Sequence, residues 1–296
     1  MRFILTVLLA LGLAGTAFAG PQTTVGGKRL EDDMGHHVRS GWPSTGYEWW
    51  NKGRKSLDWA IGAEMVYDSA ADVIMGAGHP WYDPDGQFKS TPNTFKYVGG
   101  ETTWNELVAG TAGGDADGDT VDDPWTLIQE RAEFQSLMTG PTPKRVLGTA
   151  QVYQTLQYNR SGDFGADPYV VPWIETVPTL EEMTKAALNI LDDDPDGLFL
   201  MIEGGAVDWA SHGNNSGRMI EEQIDCDNAV QAVIDWVHAN SNWGETLLVV
   251  TGDHETGYLT GPGSDPLWMP IVNNGAGNLP GMEWHSENHT NSLIPL

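Results

Sequence analysis

The sequence predicts an α/β protein with a mainly parallel central sheet flanked by helices. Three observations carry this. Leu198 to Ile202 is a short apolar run bounded by Gly197 and by Glu203-Gly204-Gly205, which reads as a buried strand. Gly217 to Asn240 then carries apolar Met219, Ile220, Ile224, Ala229, Val230, Val233, Ile234 and Val237 at helical spacing. Thr246 to Thr251 is a second apolar run, ending at Gly252-Asp253-His254. Strand, long helix and strand in that order predict a parallel crossover unit.

Residues 1–19 read as a secretory leader. Arg2 supplies a positive start, Ile4 to Gly15 is apolar but short for a membrane span, and Ala17-Phe18-Ala19 is a small-residue cleavage site. The expectation is an exported protein, periplasmic or extracellular if bacterial. Residues 20–56 form an atypical, Gly-rich segment with no strong element, and one α/β domain is expected over 57–296. Within it, Leu57 to Val66 reads as a helix and Asp72 to Gly78 as a short buried strand closed by a glycine turn. Residues 79–124 read mostly as loops, Trp125 to Leu137 as a helix and Arg145 to Gly148 as a strand. Leu180 to Leu191 is a helix with Thr179 as its N-cap and Glu181 and Glu182 in its first turn.

Composition narrows the partners. With 15 Lys+Arg against 41 Asp+Glu, the formal charge is −26. Nucleic acid and anionic membrane surfaces both require a basic footprint, so neither is expected as a partner. An anionic small molecule would need local positive charge to enter. Cys226 is the single cysteine, so no internal disulfide forms, and it reads as a small core residue.

Three segments offer metal ligands. Glu203 stands where the first strand ends. Asp208 and His212 are four residues apart, so a helical turn places both on one face. Asp253 and His254 follow the second strand directly, and His289 lies near the C-terminus. Strand carboxyl ends are where open α/β sheets build their sites. Carboxylate with imidazole suits Zn²⁺, and a carboxylate-rich neighbour suits Mg²⁺. His36, His37, His79, His238 and His285 read as ordinary surface or loop histidines.

This pattern resembles the C-terminal metal-binding part of the alkaline phosphatase family, in its bacterial Asp-Trp form. The resemblance rests on Phe199-Leu-Met-Ile-Glu-Gly-Gly with Asp208-Trp209, on Val250-Thr-Gly-Asp-His-Glu-Thr-Gly257 and on His289-Thr-Asn-Ser292. Asp72-Val-Ile-Met-Gly-Ala-Gly-His-Pro-Trp-Tyr82 agrees. It implies that Asp208, His212 and His289 hold one zinc, Asp253 and His254 a second, and Glu203 magnesium. It further implies hydrolysis of small-molecule phosphate monoesters, and it leaves a homodimer open. Two zinc ions and one magnesium would outweigh the three carboxylates, making the site locally cationic in an acidic protein.

The resemblance is incomplete at the N-terminal side of the fold. The family's serine nucleophile belongs to an Asp-Ser-Ala motif well before the Asp72–Gly78 strand. Asp68-Ser69-Ala70-Ala71 mimics it, but runs straight into that strand and lacks the helix start that should follow, so it reads as coincidence. Arg54, in Asn51-Lys-Gly-Arg54, faintly matches a phosphate-binding arginine but reads first as a solvated surface residue. No catalytic residue is therefore assigned. The expectation is either a hydrolase impaired by the absent nucleophile or a non-catalytic exported zinc- and phosphate-binding remnant. Finally, Asp115-Ala-Asp117-Gly118-Asp119-Thr-Val-Asp122-Asp123 alternates oxygen ligands as calcium loops do, without the glycine and glutamate positions of an EF-hand.

Overall fold

The computed structural model describes residues 24–25, 28–29, 39–43 and 58–294 except Pro266. The expected leader, His36, His37 and Arg54 lie outside the described residues. Strands β1 (Thr24–Val25) and β2 (Lys28–Arg29) form a small antiparallel pair. The central sheet holds five strands: β3 (Arg39–Pro43), β4 (Val73–Gly76), β5 (Thr126–Ile128), β6 (Val146–Thr149) and β7 (Leu198–Leu200). Their order is β5-β6-β4-β3-β7 and every pairing is parallel.

Both faces of this sheet are covered, which is why β4 and β6 are apolar runs rather than alternating ones. Val73 and Met75 point into one core with helices α4 (Leu180–Leu191) and α6 (Ser216–Asn240). Ile74 and Leu147 point into the other, with Met65 and Val66 of α1 (Asp58–Tyr67) and Leu107 of α2 (Glu101–Ala109). The α4 boundary falls where its capping box sits: Thr179 accepts from the Glu182 N–H, and Glu182 accepts from Thr179. Arg145, 1% exposed, ties the strand starts together by donating to the carbonyls of Ser69, Ala71 and Asp123 while its guanidinium stacks on Trp125.

Three expectations are corrected. Trp125 to Leu137 is not one helix. It is β5, paired with β6, followed by α3 (Arg131–Ser136), whose start is set by a capping box of Glu130 and Glu133. A three-residue strand is too short to interrupt a helical period in the sequence. The 79–124 region is mostly loop, as expected, and also holds α2 and a 3-10 turn over Lys96–Val98. Residues 20–56 contribute β3, which lies between β4 and β7. The Thr246–Thr251 run is not a strand: Leu247 and Val250 are 54% and 45% exposed, and only Leu248 packs against the core. Apolarity makes a strand only where a neighbour offers both register and cover, and here the sheet ends at β7. Among the described residues, no helix is long and apolar enough to cross a membrane.

Candidate metal centre

The centre is assembled just past the carboxyl end of β7. Glu203, 1% exposed, follows that strand. Helix α5 (Ala206–His212) then puts Asp208 and His212 one turn apart on the same face. A two-stranded antiparallel ladder, β8 (Glu255–Thr256) with β9 (His289–Thr290), supplies the rest. Its register sets Thr256 opposite His289 and Glu255 opposite Thr290. His254 is thereby brought beside His289, with the two rings stacked at 3.6 Å between centroids. The Thr290 hydroxyl donates to the Glu255 carboxylate and locks the same register.

Four of the six expected ligands converge. His289 Nε2 lies 3.0 Å from His212 Nε2 and 3.3 Å from Asp208 Oδ1. His212 Nε2 lies 3.4 Å from Asp208 Oδ1. Asp208, His254 and His289 also form a set whose donor atoms fall within 4.8 Å of one another. Asp208 and His289 are thus shared by two overlapping triads, one completed by His212 and the other by His254. Asp253 adjoins this cluster through His254, with Oδ2 3.6 Å from Nε2. Glu203 and Asp253 stand outside the 4.8 Å set.

The donor chemistry fits a cation. His212 Nδ1 is 2.6 Å from the Glu287 carbonyl, which can only accept, so in neutral His212 the proton sits on Nδ1 and Nε2 carries the lone pair. That lone pair faces a second imidazole nitrogen and a carboxylate oxygen. Zinc–nitrogen bonds of about 2.0–2.1 Å in a tetrahedron set donors roughly 3.3 Å apart, which is the spacing observed. A cavity of about 220 Å³ opens beside Asp208 and His254, walled by Val207, Met219, Leu259 and Trp284.

Residues beyond the ligands matter too. Thr256, 9% exposed, donates to Asp208 Oδ1 at 2.7 Å. It lies two positions after His254, a spacing that could have flagged it in the sequence. The Glu287 carbonyl has no side-chain signal at all. Of the histidines read as ordinary, the three within the described residues are otherwise engaged. His79 is buried between Gln129 and the Trp81 N–H, and burial lowers its pKa to about 4. His285 pairs with Thr260 and His238 with Trp243.

Ser69 lies at the opposite end of the parallel strands. It precedes β4, whereas Glu203 follows β7, and both strands run parallel to β3. Its hydroxyl donates to the Met65 carbonyl at 2.6 Å, closing the turn after α1. At the acidic loop, Asp115, Asp117 and Asp123 do gather. The Lys144 ammonium sits 2.8 Å from both Asp117 and Asp123, and these hydrogen bonds hold its pKa well above the ordinary range.

Carboxylate and imidazole donors gathered past the carboxyl end of β7 in a covered parallel sheet lie where open α/β proteins build their sites. The chain belongs to the alkaline phosphatase family, whose sequence pattern matches residues 48–290. Alkaline phosphatase 3 of Bacillus subtilis (strain 168) is 38% identical over 93 residues, covering 31% of this chain and 20% of its own length. The repressible alkaline phosphatase of Saccharomyces cerevisiae is 28% identical over 221 residues, 71% of this chain and 35% of that protein. The chain therefore spans about a third or less of the length of these relatives. Among solved structures, the cold-active alkaline phosphatase of a psychrophilic Shewanella sp. superposes with a TM-score of 0.57 at 19% identity, covering 97% of this chain and 78% of that one. A variant of TAB5 alkaline phosphatase with magnesium bound in its M3 site gives 0.57 at 16% identity, over 99% of this chain and 89% of that one. Both likenesses concern the fold.

Proposed function

We propose that this chain carries the metal-binding part of a phosphate monoester hydrolase centre. Asp208, His212 and His289 would hold one zinc, Asp253 and His254 a second, and Glu203 magnesium. The observation that carries this reading is the convergence of Asp208 and His212 of helix α5 with His289 of β9, at 3.0–3.4 Å from two separate stretches of chain. When bound, a pair of zinc ions supplies an electrostatic clamp on the oxygens of an in-line phosphoryl displacement. The chain's own part is to hold donors in position and in the correct protonation. The Glu287 carbonyl keeps the His212 proton on Nδ1, and Thr256 steadies Asp208. The cavity walled by Leu259 and Trp284 gives the ester's organic group an apolar place beside the donors. Export behind a cleaved leader, a small-molecule phosphate ester as substrate and a homodimeric state belong to the same proposal.

One observation favours a second reading, a non-catalytic zinc- and phosphate-binding protein. The match to the nucleophile motif, Ser69, is at the amino-terminal end of the parallel strands, away from the metal cluster, and its hydroxyl is engaged by Met65. One experiment separates the two. Hydrolysis of a chromogenic phosphate monoester is measured at alkaline pH with Zn²⁺ and Mg²⁺, for the intact chain and for Asp253→Ala, alongside zinc content. Turnover lost in Asp253→Ala supports the hydrolase. Zinc without turnover selects the binding protein, and absence of zinc rejects both.

A further inference from the structure

We infer that Thr256 is a positioning residue that couples the two zinc sets through a single hydroxyl. Its consequence for zinc rests on the reading proposed above; its geometry does not. Thr256 Oγ1 lies 2.7 Å from Asp208 Oδ1 and 3.2 Å from His254 Nδ1. Asp208 belongs to the set completed by His212 and His289, while His254 belongs to the set with Asp253. The hydroxyl has one proton to give and lone pairs to receive. A carboxylate can only accept, so the Thr256 proton goes to Asp208. The hydroxyl is then left as an acceptor towards His254.

The surroundings of His254 agree. Its Nδ1 is also 3.3 Å from the carbonyl of Glu255, a second group that can only accept. The two acceptors at Nδ1, at 3.2 and 3.3 Å, are within hydrogen-bond reach, whereas the competing acceptor at Nε2, Asp253 Oδ2, is 3.6 Å away. The closer pair favours the proton on Nδ1 and leaves the lone pair on Nε2. The Thr256 side chain is itself well held. It is β-branched, which restricts its first torsion, it is buried, and its backbone pairs with His289 across the β8–β9 ladder. One residue thereby touches a ligand of the first set, orients a ligand of the second and faces the backbone of a third.

Valine has the shape of threonine without the hydroxyl, so Thr256→Val removes both hydrogen bonds and leaves the strand pairing in place. Nitrogen-15 NMR of the histidine side chains in the metal-free chain, at about pH 8 where ordinary imidazoles are neutral, reads the tautomer directly. His254 is expected as the Nδ1-protonated form in the parent and in Thr256→Ser, and as a mixture with the Nε2-protonated form in Thr256→Val. Zinc titration against a chromogenic chelator should show both zinc affinities weakened roughly 10–100-fold in Thr256→Val and largely recovered in Thr256→Ser. Thr256→Ala serves as a second hydroxyl-free variant should valine disturb folding. A parent-like tautomer in the hydroxyl-free variants overturns the proposal, and so does weakening confined to one zinc. If the parent chain binds no zinc, the hydrolase and zinc readings fall, and the tautomer alone decides for or against the role of Thr256.

Discussion

His212 and His289 face each other with their Nε2 atoms 3.0 Å apart, and both reach Asp208 Oδ1. With the His212 proton held at the Glu287 carbonyl, a nitrogen lone pair faces His289 Nε2 and a carboxylate oxygen, a donor set of the kind that suits a shared cation. His289→Ala removes the nitrogen common to both triads. Zinc per chain, measured by elemental analysis after gel filtration, should fall by at least one equivalent. His285→Ala, a histidine bonded instead to Thr260, should leave zinc content unchanged. Equal zinc in parent and His289→Ala would remove the central support for the metal reading.

The turn that presents the centre is packed against a thiol. A Cβ placed at Gly204 would lie 2.5 Å from Cys226 Sγ, immediately after Glu203. Gly204→Ala is therefore expected to overpack the site, at a cost of about 1–3 kcal/mol. Cys226→Ala removes the obstructing sulfur. The double variant should recover part of the loss, giving a coupling of roughly 0.5 kcal/mol or more in urea unfolding. Strict additivity of the two changes would show that the contact does not govern this turn.

Arg160 and Glu221 form an ion pair at 2.6 Å with both side chains 2% exposed. Arg160 also donates to the carbonyls of Val171 and Pro172, pinning the loop before α4 to helix α6. Removing one member leaves an uncompensated buried charge. Arg160→Met should cost about 3–5 kcal/mol, read as a lowered thermal midpoint, and Arg160→Met with Glu221→Gln should cost less than the single change. A double variant as unstable as the single one would argue that the carbonyl bonds dominate.

Asp225 accepts the Leu180 N–H at the start of α4. Burial raises its carboxyl pKa from 3.8 to about 7, and Glu181 and Glu182 add to the rise. Between those values the folded chain keeps a proton that the unfolded chain has released. Stability from this group therefore falls as pH rises from about 4 to about 7, and the full cost is present above that. Asp225→Asn has no proton to lose. Relative to the parent it should be more stable by roughly a few kcal/mol at about pH 8, with the advantage vanishing towards pH 4. Urea midpoints across that range test it, and parallel pH profiles for the two proteins would contradict it.

At the acidic loop, calcium must compete with Lys144 for Asp117 and Asp123. If Asp115, Asp117 and Asp123 take calcium, Lys144→Met should enlarge the rise in thermal midpoint that calcium produces, because the ammonium no longer has to be displaced. An identical calcium response in parent and variant would mean that the ion does not bind there.

Much of this molecule is legible in local sequence. Helix α4 is readable to its ends because Thr179 and Glu182 form the cap and the apolar positions repeat at helical spacing. Asp208 and His212 declare a shared face because four residues make about one helical turn. What stays illegible depends on distant partners. Strand β5 exists because β6 lies beside it, and β3 because β4 and β7 flank it. Thr246 to Thr251 looks like a strand and is not one, since among the described residues Leu247 and Val250 stay exposed.

The same division runs through the candidate site. The sequence by itself determined the ligand types, their order along the chain and the helical pairing of Asp208 with His212, all set by bonds within one turn or one strand end. The tertiary structure decided which of them meet. His289 lies 77 residues beyond His212 and arrives through the register of β8 with β9. That register also assigns Thr256 to Asp208 and Glu287 to His212, because hydrogen bonds between remote segments depend on where the backbones pack and not on what precedes them in the chain.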